Sequence, residues 1–503
     1  MQLTSIYFFL FAFIVIVLFY FTPSRQRWLV LLAASVYYYL SWSPEYFLFI
    51  GVSVGMNFYL GKRISSESDK KQRKKLLLGG VWINLLSLFV FKYSGFLLGQ
   101  LQLVFLGNSS EILLLNSSIK PPIGISFYTL QMIAYLLDTY SNIQKSENHA
   151  GHFALFATFF PLQISGPIER AKNLLPQFNR VSEFDPIDAR EGLKRIGWGV
   201  FKKLVIANRL AIYVNEVFNN PANYHGFPAI IAVIFFAFQL YCDFSGYTDI
   251  VLGIARILGY RLTENFKNPY FSSSVQKFWN TWHISLSTWL RDYIFFPLRR
   301  TLMRTKNLPP WLMMVTPPLI TMFISGLWHG EGWNYLFWGL LHGIYLIAEN
   351  LFRPIIDSLV EKKKLGLISW FYRFSSTLFT FFLVCIGWVF FRANSIADAF
   401  LMLENMKDLN WTSYQLSISN GGVHALLEPF IFDGGLNMEN FLLSIFLIVF
   451  LPVAELAYER FGIGNRFNAF ALPIRWLFYC AAIFAIIMFS ADSSTQNFIY
   501  FNF

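Results

Sequence analysis

Residues 325–339 read SGLWHGEGWNYLFWG, and the kind of molecule follows from them. An apolar run at 311–328 leads into this stretch and another at 333–351 leads out of it. His329 sits between them, among Gly326, Gly330 and Gly332. Three glycines in seven residues disfavour a regular helix. Irregular backbone at membrane depth is tolerated only where protein buries it or where it lines a cavity. An ionisable group there is a functional candidate by default. The segment therefore predicts a histidine held at a break between two membrane helices, facing an internal chamber.

The rest of the chain agrees with a lipid environment. Of 503 residues, 55% are hydrophobic and only 14% charged, with a mean hydropathy of +0.46, more than a soluble domain can hide from water. Apolar runs long enough to cross the hydrocarbon recur from end to end, roughly 11 to 13 spans or re-entrant pieces in all. This predicts an all-α polytopic protein folded as a single membrane-embedded domain over 1–503. The run Ile6–Phe21 lacks a basic flank and a small-residue cleavage site, so it reads as a retained helix. The net charge of +11 falls in short loops, at Lys70, Lys71, Arg73, Lys74 and Lys75, at Arg299, Arg300, Arg304 and Lys306, and at 362–364. That is the positive-inside pattern of a multi-pass membrane protein rather than a nucleic-acid surface; with Ile6–Phe21 and a helical pair over 28–60 as three spans the basic loop at 62–75 faces the cytoplasm, and with 28–60 as one tilted helix the orientation inverts. Cys242, Cys385 and Cys480 lie far apart without ligand spacing, which argues against a disulfide framework or a metal site.

Along the chain, the stretch from Trp28 to Leu60, interrupted by Ser43-Pro44-Glu45, reads as a tight helical pair. Further spans are expected near 76–92, 122–138, 150–165, 196–218, 228–259, 374–391, 440–457 and 471–490. A polar stretch from Glu169 to Lys194 is expected at the cytoplasmic surface, and an extramembrane loop near 402–438. No internal repeat of fixed period appears.

A second histidine lies in QKFWNTWHISLSTWLRDY, residues 276–293. On a continuous helical wheel the aromatic residues share one arc, and Asn280, His283, Ser287 and Arg291 form a polar stripe beside it, with His283 at the border. That predicts an amphipathic helix at an interface or on a funnel wall, with Arg291 and Asp292 as a structural salt bridge or cap. His342 would stand about 220° around from His329 on one helix and reads as a packing residue. His149, His152, His225 and His424 read as solvent-facing. Imidazole accepts and returns protons near neutral pH, so a membrane-embedded pair, His283 and His329, suggests proton-transfer chemistry.

Several long segments resemble the membrane-bound O-acyltransferase family in the correct order: PPIGISFYTLQMIAYLLDTY at 121–140, FFPLQISGPIER at 159–170, the run from Tyr241 to Leu298 that contains WHISLSTWLRDY, SGLWHGEGWNYLFWGLLHG at 325–343, GWVFFRA at 387–393, and the tail FIYFNF. The tail and the length resemble the alginate O-acetylation branch more than the shorter D-alanyl branch. The resemblance implies a ring of membrane helices around a thin centre, with a funnel and a tunnel. It also implies His329 as catalytic histidine and His283 as a second functional histidine. One departure is Arg299 and Arg300, where the family commonly has glycines.

The expected reaction is acyl transfer, most simply acetyl, from a cytoplasmic thioester donor (acetyl-CoA or an acyl carrier) to hydroxyls of an extracytoplasmic polysaccharide such as alginate, at the bacterial inner membrane. No bound cofactor and no metal is expected. An acyl-accepting partner outside the membrane is, and the lipid bilayer is the other partner. His329, neutral at rest, would act as general base while His283 orients substrate or steadies charge. Ser325, four residues before His329, is outside any nucleophile-elbow context and is expected to pack. D-alanyl transfer remains open, as does a transporter of polysaccharide or lipid-linked intermediates, although such transporters often show inverted repeats.

Overall fold

The computed structural model describes residues 1–106, 121–361, 366–409 and 437–491, with single positions at 419, 427, 430 and 431. Helices build the described residues, and no strand occurs among them. Six are long and apolar enough to cross a membrane: Lys70–Lys92, Phe227–Ile257, Pro310–His329, Trp370–Arg392, Met438–Phe461 and Leu472–Phe489. Helix Leu472–Phe489 has no buried residue, and its apolar side chains face outward. In water that surface would be prohibitive, while in hydrocarbon it is solvated. The protein is an all-α, multi-pass membrane protein.

The chain forms two compact units, one of Met1–Ile196 with Thr248–Asn265, the other of Gly197–Tyr247 with Phe266–Phe503. Helix α11 (Phe227–Ile257) contributes to each.

In the first unit, α1 (Ile6–Phe21) is followed by the expected pair, α2 (Arg27–Leu40) and α3 (Phe47–Ser66), separated by a short turn at Pro44–Tyr46. Helix α4 (Lys70–Lys92) starts at the cap Asp69, whose carboxylate accepts the Lys71 and Gln72 N–H groups. Helix α5 (Ser94–Leu106) follows. Helix α6 (Ile125–Tyr140) is buried on every side, its polar Thr129, Gln131, Asp138 and Thr139 included. Helices α3 and α4 lie against it, and they come close because Gly61 meets the Tyr135 ring and Gly80 meets Leu136. Asn57 and Asn84 exchange amide hydrogen bonds of 3.1 and 2.8 Å between α3 and α4, so neither buried amide pays for an unmet donor.

The stretch expected as a span at 150–165 holds only the nine-residue α7 (Ala150–Thr158). His152, expected to face solvent, is buried on it beside Trp28. Its apolar neighbours take it into the core and its backbone N–H caps onto His149 Nδ1 at 3.1 Å. His149 itself is exposed, as is His225; His424 lies outside the described residues.

The polar stretch after Glu169 folds into α8 (Ala171–Phe178) and the start of α9 (Pro186–Val200). Two arginine–carboxylate networks tie it down: Arg195 to Asp249 at 2.9 Å and to Glu264, and Asp188 to Arg256 at 3.1 Å and to Arg261 at 2.6 Å. Glu169 is buried and accepts the Thr263 N–H.

In the second unit, the apolar run expected at 196–218 continues from α9 through a π-helical stretch, Phe201–Ala207, into α10 (Asn208–Asn219). The π turn widens the helix, and Lys203, buried on it, pairs with Asp243 of α11 at 2.6 Å. Later come α12 (Val275–Thr281), α13 (Ile284–Leu290), α14 (Phe296–Arg304), α15 (Pro310–His329), α16 (Trp333–Glu361), α17 (Gly366–Arg392) and α18 (Ile396–Asn405). The loop expected near 402–438 begins later than read, because α18 runs to Asn405; most of the remainder lies outside the described residues, as does the tail FIYFNF.

Candidate active site in the second unit

Helices α15 and α16 make a hairpin. Glycine sets its spacing: a Cβ on Gly326 would stand 2.3 Å from the Tyr335 carbonyl oxygen, one on Gly339 2.4 Å from that of Met322, and one on Gly343 3.1 Å from Leu319 Cα. Small residues at such a crossing let two backbones touch. Gly326 therefore is not part of a break, contrary to the reading of three helix-disfavouring glycines. It lies inside α15, which runs unbroken to His329. The break follows at Gly330–Gly332, where the Gly330 N–H still reaches the Gly326 carbonyl at 3.3 Å and the Tyr335 ring covers Gly330 so closely that a Cβ would be 2.2 Å from it. His329 is thus the last residue of a packed helix.

At that position its imidazole is 3% exposed. Aromatic rings surround it, with centroids at 4.9 Å for Trp328, 5.1 Å for Trp338 and 5.3 Å for Phe391. The amide of Asn334 donates to the carbonyls of Phe390 (3.2 Å) and Ala393 (3.0 Å), fixing the start of α16 to the end of α17, which carries Phe391. Ser325 is fully buried inside α15.

The segment around His283 is not the continuous amphipathic helix that the wheel suggested. Helix α12 ends at Thr281, the Trp282 N–H closing it on Phe278 at 2.8 Å, and α13 begins at Ile284. His283 sits between them in the left-handed region at φ +43, uncommon for a residue with a Cβ. Its carbonyl accepts the Ser287 N–H at 2.9 Å and so starts α13. The turn carries the imidazole inward: His283 is 1% exposed, 4.8 Å from the Phe244 ring and 6.0 Å from Trp328. It is a core residue and not a border residue. A π-helical stretch, Arg291–Phe295, follows α13, and there the Arg291–Asp292 pair forms at 3.0 Å as expected.

The two histidines meet. Their ring centroids are 6.4 Å apart, both buried in one aromatic shell. His342 also comes near, against the expectation from a single helix. The hairpin reverses the chain, so α16 presents His342 and Trp338 on one face, one turn apart, with Trp338 between the two imidazoles at 5.1 Å from each. The sequence reading missed Trp338, Phe391 and Phe244; the WNYLFWG spacing, once the hairpin is recognised, is the signal that would have found Trp338. Arg299 and Arg300 lie exposed on α14, where the chain is plainly helical. No cluster of metal ligands occurs among the described residues.

Comparison with known proteins shows which family the chain belongs to. The membrane-bound O-acyltransferase family profile matches residues 149–389, which include both histidines. Among curated proteins, the probable alginate O-acetylase of Pseudomonas putida is 36% identical over 422 residues, covering 83% of this chain and 82% of that protein. The probable alginate O-acetylase of Pseudomonas aeruginosa is 35% identical, covering 83% and 76%. The chain belongs to the membrane-bound O-acyltransferase family. A peptidoglycan O-acetyltransferase of Helicobacter pylori is also similar, 33% identical over 77% of this chain and 75% of its own length. As a membrane-bound O-acyltransferase it is an enzyme, and its resemblance to the alginate O-acetylation branch extends over most of its length.

Proposed function

We propose that this enzyme moves an acetyl group from a cytoplasmic thioester, acetyl-CoA or an acyl carrier, to hydroxyls of a polysaccharide outside the bacterial inner membrane, alginate being the leading acceptor, with His329 as general base. The observation that carries the proposal is the buried pair, His283 and His329, 6.4 Å apart within an aromatic shell. Relatives named for O-acetylation of alginate and of peptidoglycan support acetyl as the group and a polysaccharide as the acceptor.

In the proposed reaction the acceptor hydroxyl attacks the thioester carbonyl carbon while His329 takes its proton. A C–O bond forms and the carbonyl electrons move to oxygen. Collapse of that intermediate breaks the C–S bond, and the proton passes from His329 to the departing thiolate. His283 orients the hydroxyl or steadies the charge. General-base help of this kind contributes about 10²- to 10⁴-fold. The aromatic shell excludes water that would otherwise hydrolyse the thioester. An extracytoplasmic partner completes delivery to the polymer.

A strain lacking the gene tests this. Loss of polymer acetyl esters with normal polymer export supports the enzyme; lost export would support a transporter. Mass spectrometry of the group released by mild alkali separates acetyl from D-alanyl.

A further inference from the structure

Behind His329 lies a group of buried polar atoms that the proposed reaction has not used. The indole Nε1 atoms of Trp279, Trp338 and Trp388 and both ring nitrogens of His342 are buried, and none has a hydrogen-bond partner among the described residues. The four rings form one cluster: Trp338 stacks on Trp388 at 6.0 Å and 15°, and His342 stands 5.1 Å from Trp338 and 5.2 Å from Trp279. Trp338 and His342 have no exposed surface at all.

A buried donor without a partner costs about 1–3 kcal/mol, and native structures keep such groups rare. Several together beside a buried histidine pair call for a reason. In acyl transfer there is one. The general base deals with the hydroxyl proton, but negative charge also appears on the thioester carbonyl oxygen, and an N–H held rigidly in a dry site is worth most there. Such a donor has its partner only during the reaction.

Of the four rings, only Trp338 touches His329, at 5.1 Å and 90°. The stack on Trp388 and the contact of Phe391 at 5.2 Å hold it in place. The backbone N–H that follows His329, that of Gly330, is already engaged by the Gly326 carbonyl.

We propose that the indole N–H of Trp338 is a catalytic hydrogen-bond donor, stabilising the oxyanion that forms on the thioester carbonyl oxygen when the acceptor hydroxyl attacks. The inference rests on the function proposed above. No proton is transferred from the indole: it donates a hydrogen bond while the C–O bond forms, and the bond is released when the C–S bond breaks.

The test is steady-state acetyl transfer by the full chain in native membranes, with acetyl-CoA as donor and alginate as acceptor, for Trp338→Phe, Trp279→Phe and His329→Ala. Trp338→Phe keeps an aromatic ring and deletes the donor. The expected result is a fall in kcat of about 10²-fold with KM for the thioester unchanged and the thermal midpoint equal or higher, because an unpartnered donor has gone. Trp279→Phe deletes another buried, unpartnered indole N–H that does not touch His329, and keeps kcat. A wild-type kcat in Trp338→Phe, or equal losses in the two tryptophan variants, overturns the inference. If His329→Ala is inactive in the same assay the function stands despite that failure; if His329→Ala is fully active, the function and the inference fall together.

Discussion

Gly326→Ala adds one methyl group where α15 and α16 touch. Its Cβ would sit 2.3 Å from the Tyr335 carbonyl oxygen and 3.2 Å from Gly339 Cα. A carbon and a carbonyl oxygen approach no closer than about 3.3 Å, so the helices must part by about 1 Å at this point. His329 lies three residues further along α15, less than one turn away, and moves with it. Overpacking of this kind costs about 1–3 kcal/mol, and a misplacement of about 1 Å in a reacting group costs about 10²-fold in rate. The matched control is Gly79→Ala on the exposed face of α4, where nothing lies within 4 Å of the added carbon; helix propensity alone should stabilise it by about 1 kcal/mol. Both variants are to be compared in detergent by thermal unfolding and by acetyl transfer. The expected outcome is opposite signs in stability, with activity lost only in Gly326→Ala. Wild-type stability and turnover in Gly326→Ala would refute the claim that this glycine contact positions His329.

Three further outcomes follow from the same structure. His283→Asn keeps a residue tolerant of the left-handed region, so the thermal midpoint should hold while turnover falls at least about 10-fold; parallel losses of both would make His283 structural only. Lys203→Met removes the ammonium that pairs with buried Asp243 at 2.6 Å, and should cost about 3 kcal/mol of unfolding free energy, most of which Lys203→Met with Asp243→Asn restores; no recovery in the double variant would count against the pair. Burial pushes the Glu169 carboxyl from 4.5 up to about 7. Because the folded value is the higher one, the stability it contributes is fully present below pH 4.5 and lost as pH rises through about 7. Glu169→Gln should therefore gain on the wild type by on the order of 3 kcal/mol between pH 4.5 and pH 8 in denaturant unfolding, and a pH-independent difference would contradict it.

Apolar run length located the membrane helices well, because crossing the hydrocarbon is a one-dimensional requirement that sequence records directly. The turn at Ser43-Pro44-Glu45 and the break after His329 were legible for the same reason: proline and glycine act locally. Two things were not. A helical wheel assumes 3.6 residues per turn throughout, so the left-handed residue at His283 and the π turn at Arg291–Phe295 were invisible to it; the assumed border position of His283 failed with them. The distance from His329 to His342 was judged along one helix, whereas the hairpin folds α16 back on α15, so that Trp338 touches both imidazoles. Gly326 illustrates the same limit, since sequence cannot say whether a glycine ends a helix or lets another one approach.

Acetyl ester formation on polysaccharide by native membranes that keep the extracytoplasmic partner, supplied with acetyl-CoA, tests the central claim most directly when wild type is set beside His329→Ala. The account predicts a loss of at least about 10²-fold with the protein folded and membrane-inserted. Ester formation by His329→Ala at the wild-type rate would contradict it.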